Sequence, residues 1–349
     1  MKGNAPFTLG KVTVEPGARA NVSLPVAQLY TSTSLHMQVQ VVNGRRAGPI
    51  MFVSAAVHGD ELNGVEIIRR LLKMKTLNAL RGTLLAVPVV NIHGFLDQSR
   101  YLPDRRDLNR SFPGSAGGSI AARLAHTFVE HVVLKANYGI DLHTGAIDRA
   151  NLPQVRANLD DEATRDIAMA FGAPVLINAA MRQGSLRACA AENGIPMLVY
   201  EAGEALRFDE ISIRAGLRGI MRVMRRVGML PGKRRARESR PVIARSTSWM
   251  RAPTSGIVTG MVGLGRSVRK GEVIGKVSDP LGELETDILA RFDGIVIGRS
   301  KLPLAHEGDA LLHVAAFSNV GQAEDAVEEF TAIHDPALGR VVESELLGT

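Results

Sequence analysis

The 349-residue chain has one cysteine, Cys189, and one tryptophan, Trp249. A single thiol excludes an internal disulfide framework and any zinc site built from several thiolates, and it suits a reducing cytoplasm. Any metal here has to be held by histidines and carboxylates. No stretch reaches the roughly 18 uninterrupted apolar residues of a membrane-spanning helix. The opening MKGNAPFTLGKVTVEPG lacks the apolar core and small-residue cleavage site of an export signal. A soluble, cytoplasmic protein without a membrane partner is expected. Aromatic residues make up only 4% of the chain, which removes the stacking platform of single-strand binders. That scarcity matters because the formal charge of +7 would otherwise suggest nucleic acid. Much of the excess is local: Arg222, Arg225, Arg226, Lys233, Arg234, Arg235 and Arg237 surround Pro231-Gly232. A solvated helix end and linker accounts for that run, so no nucleic-acid partner is expected, while anionic substrates remain compatible.

The length exceeds what one hydrophobic core usually fills, so a large domain plus a smaller one is expected. Residues 12–42 alternate apolar and polar types and read as short antiparallel strands. The run from Pro49 to Val57 is nearly continuous and apolar, as in a strand covered on both faces, and it stops at His58-Gly59-Asp60-Glu61. Apolar residues at helical spacing from Gly64 to Leu72 and a strand from Gly82 to Val90 complete a β-α-β unit. A helix near 119–134, a strand running to His143 and another running into Glu201 continue the alternation. The expectation is an α/β catalytic domain over 1–235, with 1–45 as N-terminal strands and 236–250 as a basic linker. Residues 251–318, rich in Gly and Val, form a small all-β module, and 319–349 a tail, either a docked helix or a frayed end. The two halves of the module repeat a pattern similar to the lipoyl and biotinyl carrier fold. That resemblance implies a modified lysine in the central hairpin, yet no lysine lies between Lys276 and Lys301, so a swinging-arm carrier is not expected.

Open α/β sheets bind ligands beyond the carboxyl ends of their strands, where the polar clusters of this chain fall. His58 and Glu61, three apart on a turn entering a helix, can converge on one cation. His143 follows the strand end Ile140-Asp141-Leu142, with Asp141 placed to support it or to act as a structural cap. Two histidines and a glutamate with an open fourth position is the donor pattern of catalytic zinc. Glu201, directly after the apolar run ending at Tyr200, is the candidate base, and pressure from an apolar edge would raise its pKa; the competing reading is a strand-end Glu paired with a surface Arg. His36, His93, His126, His131, His306, His313 and His334 have no partner at ligand spacing and read as structural or surface residues. The glycines near Gly117 and at 263–265 read as turns rather than phosphate loops.

His58-Gly59-Asp60-Glu61, Asp107-Leu108-Asn109-Arg110, Asp141-Leu142-His143-Thr144-Gly145 and Glu201-Ala202-Gly203, in this order, resemble the succinylglutamate desuccinylase/aspartoacylase family, which is allied to zinc carboxypeptidases. The resemblance spans roughly residues 41–203 and implies a zinc-carboxypeptidase-like mixed-sheet α/β/α domain. It implies one Zn2+ on His58, Glu61 and His143, with Glu201 as general base. Asn109 and Arg110 would grip a substrate carboxylate. Arg100 would stabilise the oxyanion, with Arg105 and Arg106 as competitors for that place, and Arg187 would be a further substrate arginine. The family's aspartoacylase branch uses a tyrosine from its C-terminal domain. Here the tyrosines are Tyr30, Tyr101, Tyr138 and Tyr200, which puts N-acetylaspartate in doubt as substrate. The implied activity is hydrolysis of an N-acyl amino acid or similar small carboxylate-bearing amide. A zinc carboxypeptidase acting on short peptides is the alternative, and a binding protein with a vestigial metal site a third reading. A homo-oligomer is left open.

Overall fold

The computed structural model describes residues 3–232 and 240–335. The N-terminal part contains β1 (Phe7–Leu9), β2 (Val12–Val14), β3 (Arg19–Gln28), β4 (Ser34–Asn43), β5 (Arg46–Ala55), α1 (Asn63–Lys73), β6 (Arg81–Val87), α2 (Ile92–Leu96) and α3 (Ile120–His131). Next come β7 (Tyr138–Gly145), β8 (Arg149–Ala157), α4 (Glu162–Phe171), β9 (Val175–Asn178), α5 (Leu186–Glu192), β10 (Met197–Glu204) and α6 (Glu210–Arg226). The C-terminal part holds β11 (Val242–Ala244), β12 (Ser246–Arg251), β13 (Gly256–Thr259), β14 (Ser267–Val268), β15 (Val273–Ser278), β16 (Glu285–Leu289), β17 (Gly294–Ser300), β18 (Leu304–Ala305), β19 (Ala310–Ala316) and α7 (Val320–His334).

Among the described residues, thirteen strands form one mixed sheet whose main path runs β12-β19-β17-β8-β10-β7-β5-β6-β4-β3. The centre is parallel, with β10, β7, β5 and β6 aligned in one direction, and antiparallel strands flank it on both sides. Alternate residues of the central strands therefore feed opposite cores. Val53, Ala55, Ile140 and Leu142 pack with α1, α4 and α6 in one cluster. Phe52, Met197 and Val199 belong to the other, with α3 and α5. Both faces are covered, which is why these strands read as unbroken apolar runs. The result is a mixed α/β/α domain. β3 and β4, ten residues each, are longer than the short strands expected over 12–42.

The C-terminal strands do not stand apart from this sheet. β17 pairs antiparallel with β8, placing Gly298 opposite Asn151. A separate four-stranded sheet, β16-β15-β13-β18, packs on the β12-β19-β17 end around Met250, Ile274, Val277, Val296, Leu312 and Val314. Within the stretch expected as basic linker, residues 242–244 form β11 against β9 and residues 246–251 form β12. Lys233, Arg234, Arg235 and Arg237, residues 236–239 of that linker, and residues 336–349 of the tail lie outside the described residues. Within the remainder of the tail, α7 docks through Phe330 on the large core and through Ala323 and Val327 on β17 neighbours. No helix among the described residues is long and apolar enough to cross a membrane.

Candidate active site

The carboxyl ends of β5, β7 and β10 converge, and the polar residues sit where the apolar runs stop. The apolar pattern of residues 49–57 outlasts the strand, because Ala56 takes φ +49° and turns the chain before His58. Gly59 is required there: a Cβ would lie 1.9 Å from the Gly94 carbonyl carbon. His58 Nδ1 lies 2.7 Å from Glu61 Oε1, and His143 Nδ1 lies 2.8 Å from Glu61 Oε2. Oε2 also accepts the Thr144 N–H at 3.0 Å. All three residues are buried, and one donor atom from each falls within 4.8 Å of the others.

Supporting groups fix both imidazoles. Asp141 and His143, two apart on β7, share a face, and Asp141 Oδ2 lies 2.6 Å from His143 Nε2. The Ser54 hydroxyl, across from Asp141 on β5, donates to Asp141 Oδ1 at 2.7 Å. Asp107 Oδ1 lies 3.2 Å from His58 Nε2 and accepts the Asn109 N–H at 2.8 Å. Asp107 Oδ2 accepts from Arg100 at 3.1 Å, and Arg100 also donates to Glu61 Oε1 at 3.3 Å. Each ring thus has one nitrogen directed at the ligand cluster and the other held by a carboxylate.

The electrostatics fit a divalent cation. Burial alone would raise the Glu61 carboxyl, but His58 and His143 outweigh it and hold it well below the usual carboxylate range. Burial likewise opposes charge on both imidazoles, yet Asp141 and Glu61 lift His143 well above its ordinary value, and Glu61 and Asp107 lift His58. The carboxylates therefore call for positive charge at this point, which protons or a dication can supply. A buried set of two imidazoles and a carboxylate, with no thiolate, suits a divalent transition-metal ion such as zinc.

Glu201 stands beside His143 across the parallel β10-β7 pairing. Its carboxylate does not press on an apolar edge. Oε2 accepts from Asn151 Nδ2 at 3.0 Å, and Oε1 lies 3.7 Å from Arg156 Nε. The apolar residue before it, Tyr200, points to the opposite core, where its hydroxyl donates to the Ser212 carbonyl. Arg100 reaches the ligand cluster, whereas Arg106 pairs with Asp104 and Arg105 is exposed. Asn109 Oδ1 accepts the Leu186 N–H at 2.9 Å at the start of α5, leaving its amide N–H2 to donate elsewhere. Arg110 is exposed, its guanidinium on the Asn109 carbonyl. Arg187 donates to the Ala179 and Ala180 carbonyls; burial, Arg156 and Arg182 push it down to about 10, while Glu201 acts in the opposite sense.

Sequence reasoning missed four groups here: Asp107, Ser54, Asn151 and Arg156. Asp107 lay inside a motif already singled out. Asn151 and Arg156 sit on β8, whose Leu152, Val155 and Ala157 interleave with Gln154 and Arg156 in an interrupted strand pattern.

Fold and site together define a class: an α/β/α protein with a buried His-Glu-His cluster that could hold a metal ion at the carboxyl ends of its central strands. Residues 47–227 match the family described as the succinylglutamate desuccinylase/aspartoacylase catalytic domain, and the chain belongs to that family. Its curated relatives include the N-alpha-acetyl-L-2,4-diaminobutyric acid deacetylase of Halomonas elongata, 24% identical over 307 residues, covering 84% of this chain and 90% of that protein. Among solved structures, a succinylglutamate desuccinylase/aspartoacylase from Rhodobacter sphaeroides superposes with a TM-score of 0.76 at 28% identity, covering 86% of this chain and 96% of that one. The product-bound ectoine utilization protein EutE (DoeB) from Ruegeria pomeroyi gives 0.76 at 25% identity, covering 85% and 94%.

Proposed function

We propose that this protein is a zinc-dependent deacylase that hydrolyses the amide bond of a small N-acyl amino acid carrying a carboxylate. The observation that carries this reading is the convergence of His58, Glu61 and His143 within 4.8 Å, with Arg100 on one side and Glu201 paired across from His143. Family membership and the amide-hydrolase names of its relatives support it. The single, buried Cys189 agrees with a cytoplasmic setting.

His58, Glu61 and His143 would hold the ion, which when bound polarises the scissile carbonyl and acidifies a water. Glu201 takes a proton from the attacking water as the C–O bond forms, and passes it to the amide nitrogen as the C–N bond breaks. Arg100, already aimed at the cluster, donates to the oxygen on which charge develops. Arg110 and the free amide N–H2 of Asn109 orient the substrate carboxylate. Arg156, 3.7 Å from Glu201 Oε1, adds positive charge beside that carboxylate, in keeping with a substrate that bears a carboxylate.

The test is hydrolysis of N-acetyl and N-succinyl amino acids, N-α-acetyl-2,4-diaminobutyrate and short acidic peptides by wild type and Glu201→Ala, with bound zinc measured in both. Turnover of an acyl amino acid by wild type, lost in Glu201→Ala with zinc retained, supports the reading. A wild type that binds no zinc and turns over nothing in the panel removes it.

A further inference from the structure

The environment of Glu201 is built partly by strands that lie far away in sequence. Glu201 faces Gln154 and Gly203 faces Asn151, so one residue of β10, Ala202, stands opposite two of β8, Leu152 and Pro153. An unbroken β8 would put Leu152 on the Glu201 face. The extra residue at Leu152-Pro153 instead brings Asn151 to that face and turns Leu152 into the apolar cluster with Ala323 and Val327. Pro153 has no N–H, so no ladder donor is lost by the irregularity.

On its other side Asn151 meets the C-terminal strands. Trp249 of β12 pairs with His313 of β19, His313 with Gly298 of β17, and Gly298 with Asn151. The Trp249 and His313 rings stack with centroids 4.7 Å apart and planes 6° from parallel. A Cβ on Gly298 would lie 3.0 Å from His313 Cβ, 3.2 Å from Asn151 Oδ1 and 3.6 Å from Trp249 Cη2. This wall closes off the Oδ1 side of Asn151 and leaves its N–H2 directed at Glu201 Oε2, 3.0 Å away.

We propose that Asn151 is a positioning residue for Glu201, and that the C-terminal β module, through Gly298, His313 and Trp249, holds Asn151 in place. The inference rests on the reading of Glu201 as the base. By engaging Oε2, Asn151 fixes the carboxylate rotamer and makes Oε1, which lies 3.7 Å from Arg156 Nε, the oxygen that takes the proton. The module is then a structural part of the catalytic apparatus rather than an appended domain.

The experiment compares Asn151→Leu, close in volume but without a donor, with wild type, Glu201→Gln and the Asn151→Leu/Glu201→Gln double variant, on the best acyl amino acid substrate. Asn151→Ser, too short to reach Glu201, repeats the test with a smaller change, and Gly298→Ala presses on Asn151 from the module. Zinc content and Tm accompany the kinetics. Loss of a hydrogen bond to a charged group predicts kcat lower by roughly tenfold to a hundredfold in the Asn151 variants, with KM and zinc unchanged. Gly298→Ala should lower kcat in the same sense. No further loss should appear in the double variant, because its effect is routed through Glu201. An inactive Glu201→Gln alongside unchanged kcat in the Asn151 variants overturns the positioning role while leaving the base assignment intact. Unchanged kcat in Gly298→Ala overturns the part given to the module. Loss of zinc and fold in both Asn151 variants makes Asn151 structural and overturns the proposal. Full activity in Glu201→Gln removes the base itself.

Discussion

Two buried histidines make this protein sensitive to acid well above the range where carboxylates titrate. His313 and His334 are 4% and 1% exposed. His313 has Nδ1 buried without a partner, and burial together with Arg156 pushes it down to about 3. His334 donates Nδ1–H to the Phe330 carbonyl, its Nε2 is buried without a partner, and burial with Arg218, Arg222 and Arg214 nearby brings it down to about 4. In the unfolded chain both titrate near the ordinary value of 6.5. Below that pH the unfolded state binds more protons than the folded one, so stability is complete above about 6.5 and falls as pH drops toward the folded values. At pH 5.0 each site stands about 1.5 units below its unfolded pKa while still neutral in the fold, a cost of about 2 kcal/mol per site and about 4 kcal/mol together. Urea unfolding at pH 7.5 and 5.0, for wild type and a His313→Phe/His334→Phe double variant, measures this. The variant should lose about 4 kcal/mol less than wild type between the two pH values. An equal loss in both proteins would refute the burial argument.

Two further outcomes follow, one from the site and one from the core beneath it. Arg100→Ala removes the guanidinium aimed at the cluster, and kcat should drop by roughly 10²–10³-fold with zinc retained, read by steady-state kinetics and metal content. Gly139→Ala would place a Cβ 2.3 Å from the Phe52 ring, where Phe52 already packs edge-on against Phe128, and should cost about 1–3 kcal/mol or more by thermal denaturation.

The central β-α-β alternation was legible because burial on both faces leaves unbroken apolar runs, and the runs of β5, β7 and β10 each lead to a polar site residue, His58, His143 or Glu201. The candidate ligands were legible because their side-chain chemistry is distinctive: His58 and Glu61 stand three apart, and His143, 82 residues beyond Glu61, closes another apolar strand. β8 was harder to read: Pro153 interrupts its pattern, and the extra residue there decides which face Asn151 occupies. The partnership of Asn151 with Gly298 and His313 is a pairing across about 150 residues that no local pattern encodes. Glu201 illustrates the same limit. The apolar neighbour that precedes it in sequence, Tyr200, lies on the opposite face, so the surroundings of the carboxylate come from β8 instead.

The most direct test of the central claim is titration of the metal-stripped protein with zinc while turnover of the best acyl amino acid substrate is followed. Activity that rises from zero and saturates at about one zinc per chain in wild type, with no activity at any zinc level in His143→Ala, is the predicted result. Turnover that persists in the metal-stripped protein, or is indifferent to loss of His143, would contradict it.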